Sequence, residues 1–585
     1  MDQRGWDELD VLFVSGDAYV DHPAFGVPLL ARLLEAEGFR VGILAQPDWR
    51  DPAALQVMGR PRLFAAISSG AMDSMVNHYT ASKRLRHDDA YTPGGVAGRR
   101  PNRAVIAYTA AIKAAHRKLP VIIGGLEASL RRLAHYDYWD NKVRRSILVD
   151  SKADLLIYGM GESALLEVVR RMDGGEAIAQ IDDVRGTAYV SKTAPEGTQL
   201  PAYEEVVASK RAYLSAYREA KSAQTPDTAQ PLLQRHADRH VVVLPPAQSL
   251  SAAELDRLYG LPFKRRPHPR YQDPIPAYAQ IRFSLTSHRG CCGGCSFCAI
   301  AAHQGKQIQS RSEGSLLDEA RGLTSHPEFR GALSDVGGPT ANMYGIHCTD
   351  AAARSRCQRS SCLYPARCRH LSVSAKRAVR LLEQLRELPG ITHVPVASGI
   401  RHDLLAEQPD YFEALLSHHV GGLLKIAPET LGSSAARHML KPGPESFATF
   451  LEEFRRRSRH LGKRHGVVPY LIAGHPGCSL DDVIDTALFL KRHRLKVEQV
   501  QIFTPTPATR STCMWYTGLD PDTGESVAVP TSDRERALHK AVLLYHVPEN
   551  RKLVEQAFRQ AGRSAELNQL FSSGGRVRNR RGRGR

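Results

Sequence analysis

The chain has 585 residues, 42% of them hydrophobic and 24% charged, with a formal net charge of +18. That length exceeds one ordinary core and asks for two or three domains, and the composition excludes a fibrous or low-complexity chain. No apolar run approaches the roughly 18 residues of a membrane helix, and Met1-Asp2-Gln3-Arg4-Gly5 carries no signal pattern, so the expected compartment is the cytoplasm, where thiols stay reduced.

Residues 1–180 alternate strand and helix signals. Val11-Leu12-Phe13-Val14 ends at Ser15-Gly16-Asp17, and an amphipathic stretch at 28–37 is closed by Gly38. Residues 41–44, 63–67, 121–123 and 155–158 read as buried parallel strands. Ser69-Gly70 and Gly124-Gly125 follow two of them. The pattern predicts a doubly wound sheet with its ligand edge at the strand C-termini. Two polar loops, 17–26 with Asp21, His22 and Pro23, and 134–142, are candidates to line a crevice there. Turn formation and helix capping account for their composition equally well.

Residues 181–278 read as a connector, with a helix over 204–222 and a loose Pro/Thr/Gln stretch at 224–234. The basic run 264–270 reads as a solvated loop. From 281 the alternation resumes. Strands are expected at 281–285, before Gly337-Gly338, and at 394–397, 423–426, 469–472 and 497–503. Helices are expected at 316–323, 378–388, 411–418, 445–460 and 480–491. These strand–helix units predict a partial or full parallel barrel over 279–530, with a cysteine-bearing insertion at 341–375. Residues 531–571 read as a small helical region. The tail at 572–585 supplies six arginines among glycines and is expected to be disordered, with weak, salt-sensitive affinity for nucleic acid.

Eight of the ten cysteines lie between 291 and 368. Four of them form Cys291-Cys292-Gly293-Gly294-Cys295-Ser296-Phe297-Cys298. From Cys291 the spacing is C-x3-C-x2-C; from Cys292 it is C-x2-C-x2-C. Thiols this dense outside a disulfide setting point to an iron–sulfur cluster, with zinc as the competitor. Cys348, Cys357, Cys362 and Cys368 form a second group in a polar, arginine-rich stretch that makes a poor core. They are candidates for zinc or a second iron–sulfur cluster, with His347 and His370 as spare ligands. Cys478 and Cys513 stand alone and read as core residues.

The C-x3-C-x2-C loop after a first barrel strand, with Phe297 before its last cysteine, resembles the radical S-adenosylmethionine (SAM) superfamily. Longer stretches resemble its YgiQ-type family. These are residues 289–300, 337–344, Lys425-Ile426-Ala427-Pro428-Glu429, Ala473-Gly474-His475-Pro476-Gly477, Thr504-Pro505-Thr506-Pro507, 26–49 and 516–521. The resemblance implies a (β/α)6 partial barrel behind a cobalamin-binding-like domain. It implies that Cys291, Cys295 and Cys298 hold a [4Fe-4S] cluster whose fourth iron binds SAM. An electron from an external reductant, such as flavodoxin or ferredoxin, would then cleave SAM to a 5′-deoxyadenosyl radical that acts on an unknown substrate.

By the same resemblance, Gly337 and Gly338 contact the SAM methionyl amine, with Pro339 where the superfamily often has Glu. Ser398, Arg401 and Glu429 are placed at its ribose or carboxylate, and Gly474 on its adenine side. The usual cobalamin pattern D-x-H-x-x-G is absent: Asp21-His22-Pro23-Ala24-Phe25-Gly26 is spaced differently. Cobalamin is therefore doubtful, and the domain is expected to help form the substrate pocket. Two other classes compete with the radical enzyme: a ferredoxin-like electron carrier, and a zinc-stabilised basic RNA-binding protein.

Overall fold

The structure, a computed structural model, describes residues 1–571; the tail expected to be disordered lies outside the described residues. Strands β1 (Val11–Ser15), β2 (Val41–Ala45), β3 (Phe64–Ser68), β4 (Val121–Gly124) and β5 (Leu155–Ile157) are parallel, in the order β2-β1-β3-β4-β5. Alternate residues face opposite sides, as pleating requires. Leu12, Val14, Ala65 and Ile67 pack with Tyr108 and Ile112 of helix Ala104–Ala115. Phe13, Phe64, Ala66 and Ile122 pack with Leu34 and Val168 of helices Gly26–Ala36 and Glu162–Asp173. Both faces are covered, so the strands read as continuous apolar runs.

Residues expected as a connector extend this sheet. β6 (Thr187–Ser191), β7 (Thr198–Leu200), β8 (Leu232–His236) and β9 (Arg239–Val243) continue it as β5-β6-β9-β8-β7. The helix expected at 204–222 is two, Tyr203–Ala208 and Lys210–Ser222. Ser209 leaves helical geometry between them and accepts the Ala212 N–H at 3.3 Å, starting the second. The 134–142 loop, expected at a crevice, is a hairpin in an aromatic cluster. Tyr136 stacks on Tyr516 at 4.9 Å and Tyr138 meets Trp515 edge-on at 5.9 Å, which ties the N-terminal sheet to residues beyond the barrel.

The second unit is an open barrel. β10 (Ser284–Thr286) pairs in parallel with β11 (Asp335–Gly337). β12 (Leu423–Glu429), β13 (Gly466–Ala473) and β14 (Val500–Ile502) form a parallel trio. Between these sets, the strand expected at 394–397 is absent. Single parallel bridges, Ala332 to His393 and Ile400 to Ile426, close the gap. Pro395 has no N–H for a ladder, and the Asp335 carboxylate takes the Ala397 and Ser398 N–H groups at 2.8 and 3.0 Å. Helices Glu313–Thr324, Lys376–Glu387, Pro444–His460 and Leu480–Arg492 cover the outside. Helices Asp533–Leu543 and Arg551–Gln560 pack beside them.

At the β1/β3 switch point, where a doubly wound sheet ordinarily opens for a ligand, a buried arginine braces the loops that follow both strands. The fully buried Arg100 side chain reaches Asp17 and Asp89 at 3.0 Å each and the Ser69 carbonyl at 2.7 Å. Removing one partner of such a buried cluster strands the other charges. Arg100→Ala is expected to lower stability by about 3–5 kcal/mol and Arg100→Lys by less, read as shifts of the urea midpoint.

Candidate functional site

The three predicted thiols sit on a loop pinned along its length. It leaves the short strand His288–Arg289 and ends at helix Ile300–Gln304. The Cys291 N–H donates to Gly305 at 3.2 Å, Cys298 to Cys295 at 3.1 Å, and Ser296 to Met439 at 3.1 Å. Gly294 has φ +63°, and a Cβ there would lie 2.4 Å from the Ser360 carbonyl oxygen. Only glycine lets the loop turn that close to the insertion.

Beneath Ser296 runs a hydrogen-bond chain that the sequence did not flag. His475 is fully buried; its Nδ1 lies 2.6 Å from the Pro476 carbonyl and its Nε2 2.6 Å from Ser511 Oγ. Ser511 Oγ meets Ser296 Oγ at 2.8 Å. Phe297 meets the His475 ring edge-on at 6.1 Å. Gly474 points elsewhere: a Cβ there would abut Arg536 Cγ at 2.9 Å. It therefore lies against helix Asp533–Leu543, while its neighbour His475 serves the loop.

Arg401 and Glu429 do come to the thiols. Arg401 Nη1 lies 3.4 Å from Cys295 Sγ, while Asp403 holds the other side of the guanidinium at 2.6 and 3.0 Å. Asn342 fixes the Arg401 backbone with reciprocal 3.0 Å bonds. Glu429 follows a bulge in β12 and has φ +70°, strain that the packing around it must hold. Burial raises its carboxyl pKa, against Lys441 and Arg401. Burial also raises the Cys291 thiol, with Cys295 adding to it, and pushes Cys298 up to about 12, again with Cys295 adding. A metal bound here must displace protons from these thiols.

On the other side of helix Ile300–Gln304 lies a cavity of about 650 Å3 between the barrel and the C-terminal edge of the N-terminal sheet. Gly337, Gly338 and Ser398 line it, as does the 17–26 loop. The glycines allow close approach. A Cβ on Gly337 would meet Ser398 Oγ at 2.7 Å, and one on Gly338 the His288 carbonyl at 2.6 Å. Asp335 bonds the Ser398 hydroxyl. Arg289 and Glu162, both buried, pair at 2.6 Å in the wall. Glu162 Oε2 and His288 Nε2 are buried there without a protein partner. The signal for these residues was their place: His288-Arg289 immediately precedes the cysteines, and Glu162 opens a helix.

His22 is not free to serve as a ligand. It is buried, its Nε2 lies 3.0 Å from Arg265 Nη1, and its Nδ1 accepts the Ala24 N–H at 3.1 Å. With His22 held in this way, the 17–26 loop offers no free histidine of the D-x-H-x-x-G kind.

The second cysteine group packs on the loop. Cys362 donates its N–H to the Cys292 carbonyl at 2.9 Å, and Ser361 Oγ donates to Gly293 at 2.7 Å. Burial pushes the Cys362 thiol up to about 11; Lys306 opposes this, and Cys357 and Cys368 add to it. Lys306 Nζ touches Cys357 Sγ at 3.3 Å. Cys348 Sγ meets the Asp350 carbonyl at 3.4 Å. The spare histidines are engaged, His347 with Gly345 at 3.0 Å and His370 with Asp350 at 3.4 Å. Among the described residues, no three His, Cys, Asp or Glu side chains converge on a point that one metal ion could occupy. Cys478 and Cys513 are buried, as expected of core residues.

The buried histidines make the site acid-sensitive. Burial lowers His288 to about 4, and His402 and His475 to about 3. Each stays neutral when folded but takes a proton near pH 6.5 when unfolded. Their stabilisation is therefore full above about pH 6.5 and is lost as pH falls, by about 1.4 kcal/mol per unit for each. The urea midpoint is expected to drop steeply between pH 7 and 5, with a shallower slope in His475→Gln.

Against known proteins, the family described as Radical SAM N-terminal matches residues 1–284, and a domain of unknown function (DUF3362) matches 498–568. A UPF0313 protein of Geobacter sulfurreducens is 58% identical over 573 residues, covering 97% of this chain and 95% of that protein. The UPF0313 protein YgiQ of Escherichia coli is 44% identical over 628 residues, covering 96% and 85%. Among solved structures, the cobalamin-dependent S-adenosylmethionine radical enzyme OxsB with aqua-cobalamin bound matches with a TM-score of 0.52 at 11% identity, over 96% of this chain and 72% of that one. That likeness concerns the fold: a large parallel α/β sheet, a second α/β unit and helices at the C-terminus. The chain belongs to the UPF0313 (YgiQ) family, within the radical SAM superfamily.

Proposed function

We propose that this chain is a radical SAM enzyme in which Cys291, Cys295 and Cys298 hold a [4Fe-4S] cluster and SAM binds beside them. The observation that carries the reading is a pinned three-thiol loop on one side of a short helix and a large, mostly apolar chamber on the other. The donor set fits: three thiols with a guanidinium 3.4 Å from one of them, which offsets the negative charge of a thiolate-ligated centre. Such a cluster, once reduced, supplies the electron that cleaves SAM to methionine and a 5′-deoxyadenosyl radical.

The chain's own residues do the positioning. Gly337 and Gly338 keep the backbone open beside Ser398, where the amino acid end of SAM would lie. Arg401 and Glu429 offer charge on the thiol side. The Arg289–Glu162 pair stands in the chamber wall, and the largely apolar lining limits the water held beside a reacting group. A cavity of about 650 Å3 falls in the range of small-molecule sites, and SAM takes part of it. The substrate then lies over the edge of the N-terminal sheet, which acts as a wall and not as a cobalamin site. Of the two candidates for Cys348, Cys357, Cys362 and Cys368, a second iron–sulfur cluster is the one proposed, since among the described residues no three such side chains converge on one ion as zinc requires.

The test uses protein purified and reconstituted without oxygen. The wild type is expected to bind at least about four irons and to form 5′-deoxyadenosine from SAM with dithionite. Cys291→Ala, Cys295→Ala and Cys298→Ala should each lose more than about 100-fold of that cleavage, and Arg401→Ala about 10–100-fold, as a supporting residue does. Cys292→Ala should retain it. Full cleavage in Cys295→Ala would overturn the assignment; iron without SAM cleavage in the wild type would favour an electron carrier.

A further inference from the structure

Residues 351–371 carry Arg354, Arg356, Arg359, Arg367 and Arg369 and no Asp or Glu. All five arginines are exposed. Among the described residues only Arg367 forms an ion pair, with Glu407 at 2.8 Å. Arg356 and Arg359 bond backbone carbonyls, of Ala352 at 3.3 Å and Ala366 at 2.6 Å; Asp350, just before this stretch, acts on Arg356, and among the described residues no carboxylate pairs with Arg354, Arg359 or Arg369. This basic plate lies directly on the thiol loop through the Cys362–Cys292 and Ser361–Gly293 bonds. Lys306 holds its underside, donating to the Cys357 and Arg359 carbonyls at 3.2 and 3.0 Å.

Beside the plate, a cleft of about 220 Å3 runs from Gln358 and Ser360, past Lys221, to Cys295 and Cys298. It shares no lining residue with the chamber. Helix Ile300–Gln304 separates the two, turning Ile300 and His303 to the chamber and Ala301 and Ala302 to the cleft. A substrate has to reach the chamber, whereas an electron donor has to reach the thiols without crossing it. The plate serves the second need. It suits a nucleic acid poorly: Tyr364, the one Phe, Tyr or Trp in 351–371, is half-buried, which leaves no exposed ring for bases to stack on.

We propose that this plate docks an acidic one-electron carrier protein of the flavodoxin or ferredoxin class and is the electron entry face. The carrier is oxidised by one electron and the centre held by the thiol loop is reduced by one; no bond to the plate forms. The proposal rests on the radical SAM reading of that loop. Charge complementarity of this kind sets encounter rate and register, and salt weakens it.

Binding of oxidised flavodoxin to the full chain, read by flavin fluorescence anisotropy, tests docking without any turnover. The wild type is expected to bind, and to lose affinity when salt rises from about 0.05 M to about 0.5 M, where the Debye length falls to a few ångströms. The double variant Arg354→Glu, Arg356→Glu should bind at least about tenfold more weakly. The ratio of SAM cleavage driven by flavodoxin, its reductase and NADPH to that driven by dithionite should fall by a similar factor. Equal flavodoxin affinity in wild type and variant would overturn the proposal. So would a wild type that ignores flavodoxin but binds a short single-stranded RNA in a way the variant loses. Failure of the wild type to cleave SAM with dithionite would overturn the enzyme reading instead, and the anisotropy would still decide for or against docking.

Discussion

A buried ion pair between Arg289 and Glu162, 2.6 Å long, joins the two halves of the molecule at the root of the thiol loop. Glu162 opens the helix after β5, and Arg289 is the last strand residue before Gly290 and Cys291. The Tyr259 hydroxyl completes the arginine's bonds at 3.0 Å. Such a pair adds little net stability, because both charges leave water, but breaking it strands a charge in the interior. Its effect is positional. The loop leaves the barrel at an angle set by the N-terminal sheet, and the chamber between them has one geometry.

From that constraint the site becomes two-sided. The short helix after the loop stands between a mostly apolar chamber and a smaller basic cleft. The proposed chemistry suits such a division: substrate and electron would reach the centre from different sides. The N-terminal sheet contributes a wall to that chamber: Ser15, Asp17, Ser68 and Gly70 at its strand ends line it, and Arg100 braces the loops behind them.

Much of the fold was legible in the chain. The helix expected at 445–460 is Pro444–His460, and that expected at 480–491 is Leu480–Arg492, because an amphipathic stripe and a capping residue act locally. At 394–397 the expected strand has no ladder: Pro395 lacks an N–H, Val396 donates to the His419 carbonyl and Ala397 to the distant Asp335 carboxylate. The strands within 187–243 were missed because they are short and mixed in polarity, and become strands only by pairing with the edge at β5. At the site, the spacing singled out Cys291, Cys295 and Cys298, and the structure sets them on one loop. Gly474 was expected on the adenine side of SAM; a Cβ there would meet Arg536, while His475 beside it underlies the loop. A spacing reports which residues share a turn; it carries no record of which helix will later pack against them.

Sequence alone determined the family and the α/β class, since both are carried by motifs and apolar runs that are local along the chain. The chamber between the two units, the ion pair at the root of the loop and the basic stretch packed on it came from folding. Each joins residues far apart along the chain, such as Arg289 with Glu162 or Cys292 with Cys362. Their proximity follows from how two sheets and an insertion bury their apolar faces, a balance that no local stretch encodes.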